Sequence, residues 1–321
     1  MQSEPVGLQV ADPQVSCPRL GTVTVTYRPN FTLLRRQLQA LPVDAIKVIV
    51  DNSSDREVVR GLLAMCQAIP GLRVLYNKTN RGLAAALDQG VRELANLAST
   101  PTHVLLLDQD SEPLDRAIPT LLGALDQLER QGARPGAVGP QLLDPDTGLM
   151  HGFHRMTRWR WLRSFPPPSD PPLPIANLNG SGTLMRIRTY LEQGGLDTSL
   201  FIDHVDTEWS FRLLATGHTL WGVPGAVFRH AMGERGLRVW LLGWRVWPAR
   251  SPQRHRYLFR NSLWLMRRGY VPPVWKFWCA AKILLTLASY ALFSSQRLVH
   301  VREMLSGIVD AVRHPNARTL G

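Results

Sequence analysis

The segment HVLLLDQD at residues 103–110 is a short apolar run that ends in two aspartates, Asp108 and Asp110. Each of the similar runs before it has the length of a buried strand; they are LGTVTVTY (20–27), AIKVIVD (45–51) and LRVLYN (72–77). The segments between these runs space their apolar residues near 3.6, which predicts helices. The alternation predicts an α/β fold whose mainly parallel sheet carries helices on both faces and binds ligands at the carboxyl ends of its strands.

The composition of the 321-residue chain is that of a folded protein, with 45% hydrophobic and 19% charged residues. Cys17, Cys66 and Cys279 lack metal-ligand spacing, and their odd number argues against a disulfide framework. The first residues show no charged segment followed by an apolar one, so we expect no signal peptide. These features predict a reduced, cytoplasmic protein.

The net charge of +12 is confined to the end of the chain. Residues 1–235 hold 23 basic and 23 acidic residues, whereas residues 236–321 hold 14 basic and 2 acidic ones, together with six of the ten tryptophans. Basic charge interleaved with tryptophan suits an anionic membrane surface or nucleic acid. We therefore predict an N-terminal extension (1–18), a catalytic domain (19–235) and a basic, Trp-rich helical region (236–321).

The most apolar stretch of that last region is VWKFWCAAKILLTLASYALF at residues 274–293. Lys276 and Lys282 interrupt it, so that only the 14 residues 283–296 are free of charge. This is short for a helix that spans a bilayer core of about 30 Å. We expect a helix that lies in the membrane interface or packs on the catalytic domain, with a spanning helix as the alternative.

Polar residues follow the first three predicted strands. Thr26, Tyr27 and Asp51 could bind a nucleotide base and ribose, although residues 53–55 could equally be an ordinary helix N-cap. Asn80 and Gly82 open the next helix, where small residues and a helix N-terminus would suit a phosphate; a simple capped helix is the alternative.

Asp108 and Asp110, at the end of the fourth strand, point to the same side of an extended chain. Their mutual repulsion would be relieved by a divalent cation that bridges to a diphosphate, and oxygen ligands suit Mg²⁺ or Mn²⁺. His230, at the end of a later apolar run, would complete the metal site if the fold brings it there; a structural histidine is the alternative.

The densest acidic cluster is FIDHVDTEW at residues 201–209. Asp206 and Glu208 are also typical of a helix start, but the adjacent aromatic residues favour a functional site in which a carboxylate acts as general base.

In order, these segments resemble glycosyltransferase family 2, which has the GT-A fold, and within it the bacterial rhamnosyltransferases. The resemblance covers roughly residues 20–262, and LFIDHVDTEW is the segment that indicates rhamnosyl transfer. The matching segments are TVTVTYRPN, VIVDNSS, NRGLAAALDQG, LLLDQDS, NGSGTLMR, LFIDHVDTEWSFR, VFRHAMG and RYLFRNS.

The resemblance implies roles for individual residues. Donor binding falls to Thr26, Tyr27, Asp51, Asn80, Gly82 and Asp108. The metal ligands would be Asp108 and Asp110 with the help of His230, and the acceptor pocket would include Trp209 and Arg212. Asp206 would be the catalytic base, but the family's E-D-x-D pattern reads Val205-Asp206-Thr207-Glu208 here, so Asp203 or Glu208 could share that role.

The implied reaction is an inverting, single-displacement transfer from dTDP-L-rhamnose. The acceptor would be a saccharide or a polyprenyl-diphosphate-linked saccharide in O-antigen-type polysaccharide synthesis, with the enzyme held peripherally at the inner face of the cytoplasmic membrane. The main alternative is a family 2 transferase that uses a UDP- or GDP-hexose. A nucleic-acid-binding protein would explain the basic region but not the D-x-D. A dinucleotide-dependent oxidoreductase would carry a G-x-G-x-x-G motif after the first strand, and this chain has none there. We therefore expect no nucleic-acid partner.

Overall fold

The computed structural model describes residues 19–230, 237–240, 244–247 and 250–315. The strands of its central sheet are β1 (Leu20–Thr26), β2 (Ile46–Asp51), β3 (Leu72–Tyr76), β4 (His103–Asp108), β5 (Ser111–Pro113), β6 (Pro135–Leu143), β7 (Met150–His151), β10 (Leu173–Ile175), β11 (Thr183–Arg186) and β12 (Thr219–His230). Two antiparallel pairs lie outside this sheet: β8 (Phe153–Met156) with β9 (Trp161–Ser164), and β13 (Leu237–Trp240) with β14 (Trp244–Trp247).

The helices are α1 (Phe31–Ala40), α2 (Arg56–Ala68), α3 (Leu83–Ala95), α4 (Ala117–Arg130), α5 (Ile187–Glu192), α6 (Val205–Ala215), α7 (Pro252–Arg267), α8 (Pro273–Phe293) and α9 (Arg297–Arg313). A short 3₁₀ turn at Thr198–Leu200 precedes α6.

The parallel part of the sheet positions the predicted site. The strand order is β10-β12-β6-β11-β4-β1-β2-β3, and β1 lies between β2 and β4, parallel to both. The chain winds from β1 through β2 to β3 on one side and then returns to β4 on the other side. A ligand crevice forms at such a reversal of strand order, here beside Thr26 and Asp108 at the ends of β1 and β4.

Helices cover both faces of this sheet, as predicted. Helices α1, α2 and α4 enclose one core around residues such as Leu105 and Leu121, whereas α3 and α6 enclose the other around Val23 and Val91. All four side chains are fully buried, and each contributes about 1.5–3 kcal/mol through removal of apolar surface from water.

The structure differs from the sequence prediction in two local respects. Residues 165–174, FPPPSDPPLP, have a proline content typical of a loop, but they end in strand β10, which pairs with the outer strand β12. The region after residue 235, expected to be helical, begins with the pair β13–β14.

The C-terminal helices share the core of the catalytic domain. Trp264, Trp275 and Cys279 belong to the same buried cluster as Val23 and Phe211, and α7 packs closely against α9. The change of charge near residue 235 is therefore not a gap in the hydrophobic core. The predicted extension 1–18, the boundary itself and the side chains of Trp240, Trp244 and Trp247 lie outside the described residues.

Candidate active site

Asp51 is held rigidly at the end of β2. Its carboxylate accepts hydrogen bonds from Thr26 Oγ1 at 2.8 Å, Ser53 Oγ at 2.7 Å and the Ser53 backbone N–H at 3.0 Å. The side chain of Tyr27 beside it is exposed. Asp51 and Tyr27 thus stand together at the sheet edge, while Thr26 orients the carboxylate from a buried position.

Asp108 and Asp110 lie at the same edge, and the fold brings His230 to them. His230 Nε2 lies 3.9 Å from Asp108 Oδ2, and its Nδ1 lies 3.5 Å from Asp110 Oδ1. The two aspartate side chains keep 35% and 33% of their surface exposed, and that of His230 keeps 17%. The fold thus brings His230 to Asp108 and Asp110, which lie more than a hundred positions earlier in the chain, and the metal prediction depends on this meeting.

The ionisation of this cluster reflects its partial burial. Withdrawal from water raises the pKa of Asp108, and His230 opposes this while Asp110 adds to it. Burial alone would lower the pKa of His230, but the hydrogen bond to Asp110 and the charge of Asp108 raise it above its usual value. In the described residues, no group of three or more His, Cys, Asp or Glu side chains has the arrangement of a complete metal site. The cluster is thus a partial set of ligands.

Buried polar residues fix the backbone beneath this cluster. Gln37 Nε2 donates to the carbonyls of Asp108 at 2.5 Å and Ser111 at 2.6 Å. Ser111 Oγ contacts Ser181 Oγ and lies 2.8 Å from His230 Nδ1. These contacts set the direction of the turn after β4, and with it the position of both carboxylates.

Asp206, in the first turn of α6, faces the same cleft. Its carboxylate accepts hydrogen bonds from the backbone N–H of Thr207 at 2.8 Å and of Gly180 at 3.3 Å. Burial raises its pKa to about 6, with Asp108 and Asp203 adding to the rise and the two N–H groups opposing it. A carboxylate with a raised pKa in a cleft is suited to general base catalysis.

The turn before Asp206 has an unusual backbone. Phe201, Asp203 and His204 have φ values of 63°, 59° and 64°, a region that costs non-glycine residues about 1 kcal/mol or more each. Helix α7 compensates: the side-chain amide nitrogen of Asn261 lies within 3.0 Å of the carbonyl oxygens of Leu200, Ile202 and Asp203.

Three further side chains of α7 hold this turn. Tyr257 stacks on Phe201 with ring centroids 4.7 Å apart. Arg254 forms an ion pair with Asp203 at 3.1 Å, and Ser262 lies 2.9 Å from His204 Nε2. Tyr257, Asn261 and Ser262 belong to the segment RYLFRNS, which is part of the family resemblance but has no function that its sequence alone indicates.

Two of the acidic residues considered as alternative bases have structural roles. Asp203 is nearly buried and pairs with Arg254 and, at 3.4 Å, with Arg250. Glu208 is fully buried and pairs with Arg212 at 2.7 Å, and it accepts a hydrogen bond from Tyr270 at 2.7 Å. Neither carboxylate is available to an acceptor hydroxyl.

The positions of Trp209 and Arg212 also differ from the prediction of an acceptor pocket. Both side chains are buried. Arg212 is paired with Glu208 and donates to the carbonyl of Gly195 at 2.7 Å, while its guanidinium lies 4.9 Å from the Trp209 ring centroid. With both side chains packed inside the protein around the Glu208–Arg212 ion pair, they stabilise α6 instead.

Asn80 and Gly82 support the sheet edge in an unexpected way. Asn80 Oδ1 accepts a hydrogen bond from the Gly82 N–H at 2.9 Å, and the carbonyl of Phe201 accepts one from the Leu83 N–H at 2.6 Å. A Cβ at Gly82, where φ is 84°, would lie 2.6 Å from that carbonyl oxygen. The start of α3 therefore docks the turn before Asp206, and of the two alternatives for this segment an ordinary helix start fits better than a phosphate site.

Comparison with known proteins agrees with this geometry. Residues 32–189 match the family described as Glycosyl transferase family 2. The chain contains a family 2 glycosyltransferase domain. It is also 26% identical, over 252 residues, to the dTDP-rhamnosyl transferase RfbF of Shigella flexneri, a match that covers 78% of this chain and 80% of that protein.

The transferase also shares its fold with solved glycosyltransferase structures. It superposes on GalNAc-T7 with UDP, GalNAc and Mn²⁺ at a TM-score of 0.57 and 17% identity, covering 92% of this chain and 57% of that one. It superposes on the Pyrobaculum calidifontis mannosyltransferase PcManGT with GDP-Man and Mn²⁺ at a TM-score of 0.52 and 18% identity, covering 92% of this chain and 87% of that one. The superposition on S. aureus TarS with UDP-GlcNAc has a TM-score of 0.56 and 10% identity, and it covers 94% of this chain and 82% of that one. These similarities confirm the GT-A fold. The transferase spans little more than half the length of GalNAc-T7.

Proposed function

We propose that this family 2 transferase moves L-rhamnose from dTDP-L-rhamnose to a saccharide acceptor, with inversion at the anomeric carbon. The observation that carries the proposal is the placement of Asp206, with its raised pKa, close enough to Asp108 for the two carboxylates to interact electrostatically. The choice of sugar rests on the similarity to a dTDP-rhamnosyl transferase over most of both chains.

In the proposed reaction, Asp206 removes the proton of the acceptor hydroxyl. The oxygen then attacks the anomeric carbon, and dTDP leaves from the opposite face. The hydrogen bonds from Gly180 and Thr207 hold the carboxylate in one orientation throughout. Tyr27 and Asp51 bind the base and ribose, with Thr26 fixing Asp51, while Asn80 and Gly82 act indirectly through the Phe201 carbonyl.

A divalent cation fits the cluster at the end of β4. Two carboxylates and one imidazole are a suitable donor set for Mg²⁺ or Mn²⁺, and the diphosphate would supply further oxygens. Asp110 and His230 would hold the ion, with Asp108 also in reach of the ribose. When bound, the ion neutralises charge on the departing nucleoside diphosphate. GalNAc-T7 and PcManGT, which have the same fold, were solved with Mn²⁺.

We further propose that the acceptor is linked to a polyprenyl diphosphate and that the enzyme works at the inner face of the cytoplasmic membrane. Helix α8 is long and apolar enough to cross a membrane, and only 28% of its most apolar 18-residue stretch is buried inside the protein. The large apolar side chains exposed on this helix are Phe277, Trp278, Leu284, Leu285, Leu292 and Phe293. Lys282 is exposed but lies on the side of the helix where Trp275 and Cys279 are buried, away from the exposed apolar side chains, which favours an interfacial helix over a spanning one.

The donor is tested by direct competition. Purified enzyme with Mn²⁺ is titrated with dTDP-rhamnose, UDP-hexoses and GDP-mannose, and both binding and hydrolysis in the absence of acceptor are measured. We expect dTDP-rhamnose to bind most tightly and to be hydrolysed fastest. Faster turnover of a UDP- or GDP-hexose would contradict the choice of rhamnose but not the family assignment.

A further inference from the structure

Basic side chains outnumber acidic ones in the space between the β8–β9 hairpin and α8, where Arg163 and Arg250 act electrostatically on Lys282. Trp161 of the hairpin and Trp275 of α8 both pack edge-on against Phe211, with ring centroids 6.1 and 5.4 Å apart. This shared contact brings the two elements together beside α6, the helix that carries Asp206.

Lys282 extends from α8 into the space between these elements. It lies seven residues, about two turns, after Trp275 and therefore on the same side of the helix. Trp275, Cys279 and Thr286 on that side are buried, but Lys282 keeps contact with solvent. Its ammonium is withdrawn from bulk water, which lowers its pKa, and the charges of Arg250 and Arg163 lower it further.

Arg163 faces the same space from the hairpin. It is paired across the two strands with His154, and its guanidinium lies 2.8 Å from His151 Nε2 and 3.4 Å from His154 Nε2. Burial and the charge of Arg163 together lower the pKa of both histidines to about 4, so they stay neutral at pH 7. His151 also interacts electrostatically with His230, which links the hairpin to the D-x-D cluster.

The positive charge of this recess is not neutralised by protein groups. Among residues 19–230 and 250–315, no carboxylate forms an ion pair with Arg163 or with Lys282. Asp203, the one acid that acts on Lys282, is already shared by Arg250 and Arg254. The Nε of Arg250 is buried with no hydrogen-bond partner. Cations that repel one another, here the exposed Arg163 and Lys282 beside the half-buried Arg250, are stabilised by a bound anion.

We propose that Arg163, Lys282 and Arg250 form a binding site for a phosphate group of the acceptor, distinct from the site of the donor diphosphate. The proposal rests on the proposed function in one respect, namely that the acceptor is a saccharide linked to a lipid diphosphate. Helix α8 is placed to contact both the phosphate and the lipid chain of such an acceptor. Lys282 faces the cleft while Phe277 and Leu284 face outward, so a phosphate at headgroup depth can reach the recess with its lipid chain still in the membrane.

The probe for this site is inorganic pyrophosphate, titrated calorimetrically into the full chain in the presence of EDTA so that no metal recruits it. Lys282→Gln and Arg163→Gln are each expected to weaken binding about tenfold, the loss of one charge-assisted hydrogen bond. Lys282→Arg should retain most of the affinity. The matched control is Arg155→Gln: Arg155 is exposed on the same hairpin but pairs with Leu162 on the opposite face, so its loss should have no effect. Thermal unfolding of each variant verifies that it is folded.

A second titration separates the two sources of a diphosphate. With dTDP at ten times its measured dissociation constant, pyrophosphate should bind wild-type enzyme as tightly as before. Displacement by dTDP would overturn the proposal, because the recess would then belong to the donor. Equal binding by Lys282→Gln and Arg155→Gln, or no binding by the wild type, would overturn it as well. Failure of dTDP to bind in a separate titration with Mn²⁺ would instead refute the proposed function, and the variants would still decide the anion site.

Discussion

At the scale of single residues, the environment of Asp206 explains how an aspartate can act as a base near neutral pH. The pKa of about 6 for Asp206 in the folded protein lies well above the ordinary pKa of an aspartate carboxyl. The carboxylate is ionised above pH 6 and becomes protonated below it, so kcat/KM should fall about tenfold per pH unit below pH 6. A pH profile of rhamnosyl transfer measures this. A flat profile from pH 7 down to pH 5 would contradict the assignment.

Asp206→Asn tests the same residue by substitution. The change should abolish transfer and leave dTDP binding intact, because the two side chains are nearly equal in size. Since a raised pKa means that the folded state favours the protonated form, ionisation above pH 6 destabilises the protein. The variant should therefore unfold at an equal or higher temperature than wild type at pH 7. Substantial turnover by the folded variant would show that another group is the base.

The ligands at the end of β4 make separate predictions. Asp110→Ala should weaken Mn²⁺-dependent dTDP binding more than Asp108→Ala does, because Asp108 divides its contacts between the ion and the ribose. EDTA should stop turnover, and added Mn²⁺ should restore it. Calorimetry with and without the ion measures the difference, and full activity in chelator would remove the metal from the mechanism.

At the scale of elements, helix α7 holds the turn that positions Asp206. Asn261→Ala would leave up to three carbonyl groups without a partner, each costing about 1–3 kcal/mol if it stays buried. We expect a lower unfolding temperature and a kcat reduced tenfold or more with little change in dTDP affinity, since the donor edge lies on other elements. Unchanged kcat in a folded variant would show that the turn keeps its shape without Asn261.

The elements themselves were predictable, because strand and helix each have a periodicity that is visible along the chain. The first four predicted strands agree with β1 to β4, and the helix that begins near Asp206 agrees with α6. The roles within FIDHVDTEW were only partly predictable. Glu208 is close to Asp206 in the chain but turns to Arg212 and to Tyr270, 62 residues away. The i, i+4 spacing of Glu208 and Arg212 is visible in the sequence, but their burial and the hydrogen bond from Tyr270 are not, so Glu208 resembled a second candidate base.

The same limit applies to Trp209 and Arg212. An aromatic and a basic residue after an acidic cluster are typical of a sugar site, but α6 is buried nearly all around. Its lack of a polar face could not be recognised from eleven residues. The asymmetry of charge, in contrast, was visible in the sequence alone because it depends only on counting.

At the scale of the whole molecule, the C-terminal helices complete the core on one side and present apolar residues to solvent on the other. Phe277 and Leu292 on α8 are 69% and 70% exposed, and residues 236–321 carry the entire excess charge. Each basic residue near an anionic surface contributes about 1 kcal/mol to binding, within a Debye length. Exposed apolar residues add to this when they enter the interface. A spanning α8 would instead withdraw Lys282 from the catalytic cleft at a cost of roughly 2.5–3.5 kcal/mol.

We therefore predict peripheral binding that requires both charge and the apolar face of α8. The enzyme should cosediment with vesicles of phosphatidylglycerol and phosphatidylethanolamine and be released by high salt, and it should leave bacterial membranes in alkaline carbonate. Phe277→Ser with Leu284→Ser should weaken vesicle binding about tenfold or more, because each change removes an apolar side chain from the interface. Val43→Ser is the matched control, since Val43 is 80% exposed but lies before β2 on the neutral catalytic domain. Retention in carbonate until detergent is added would mean that α8 spans the bilayer.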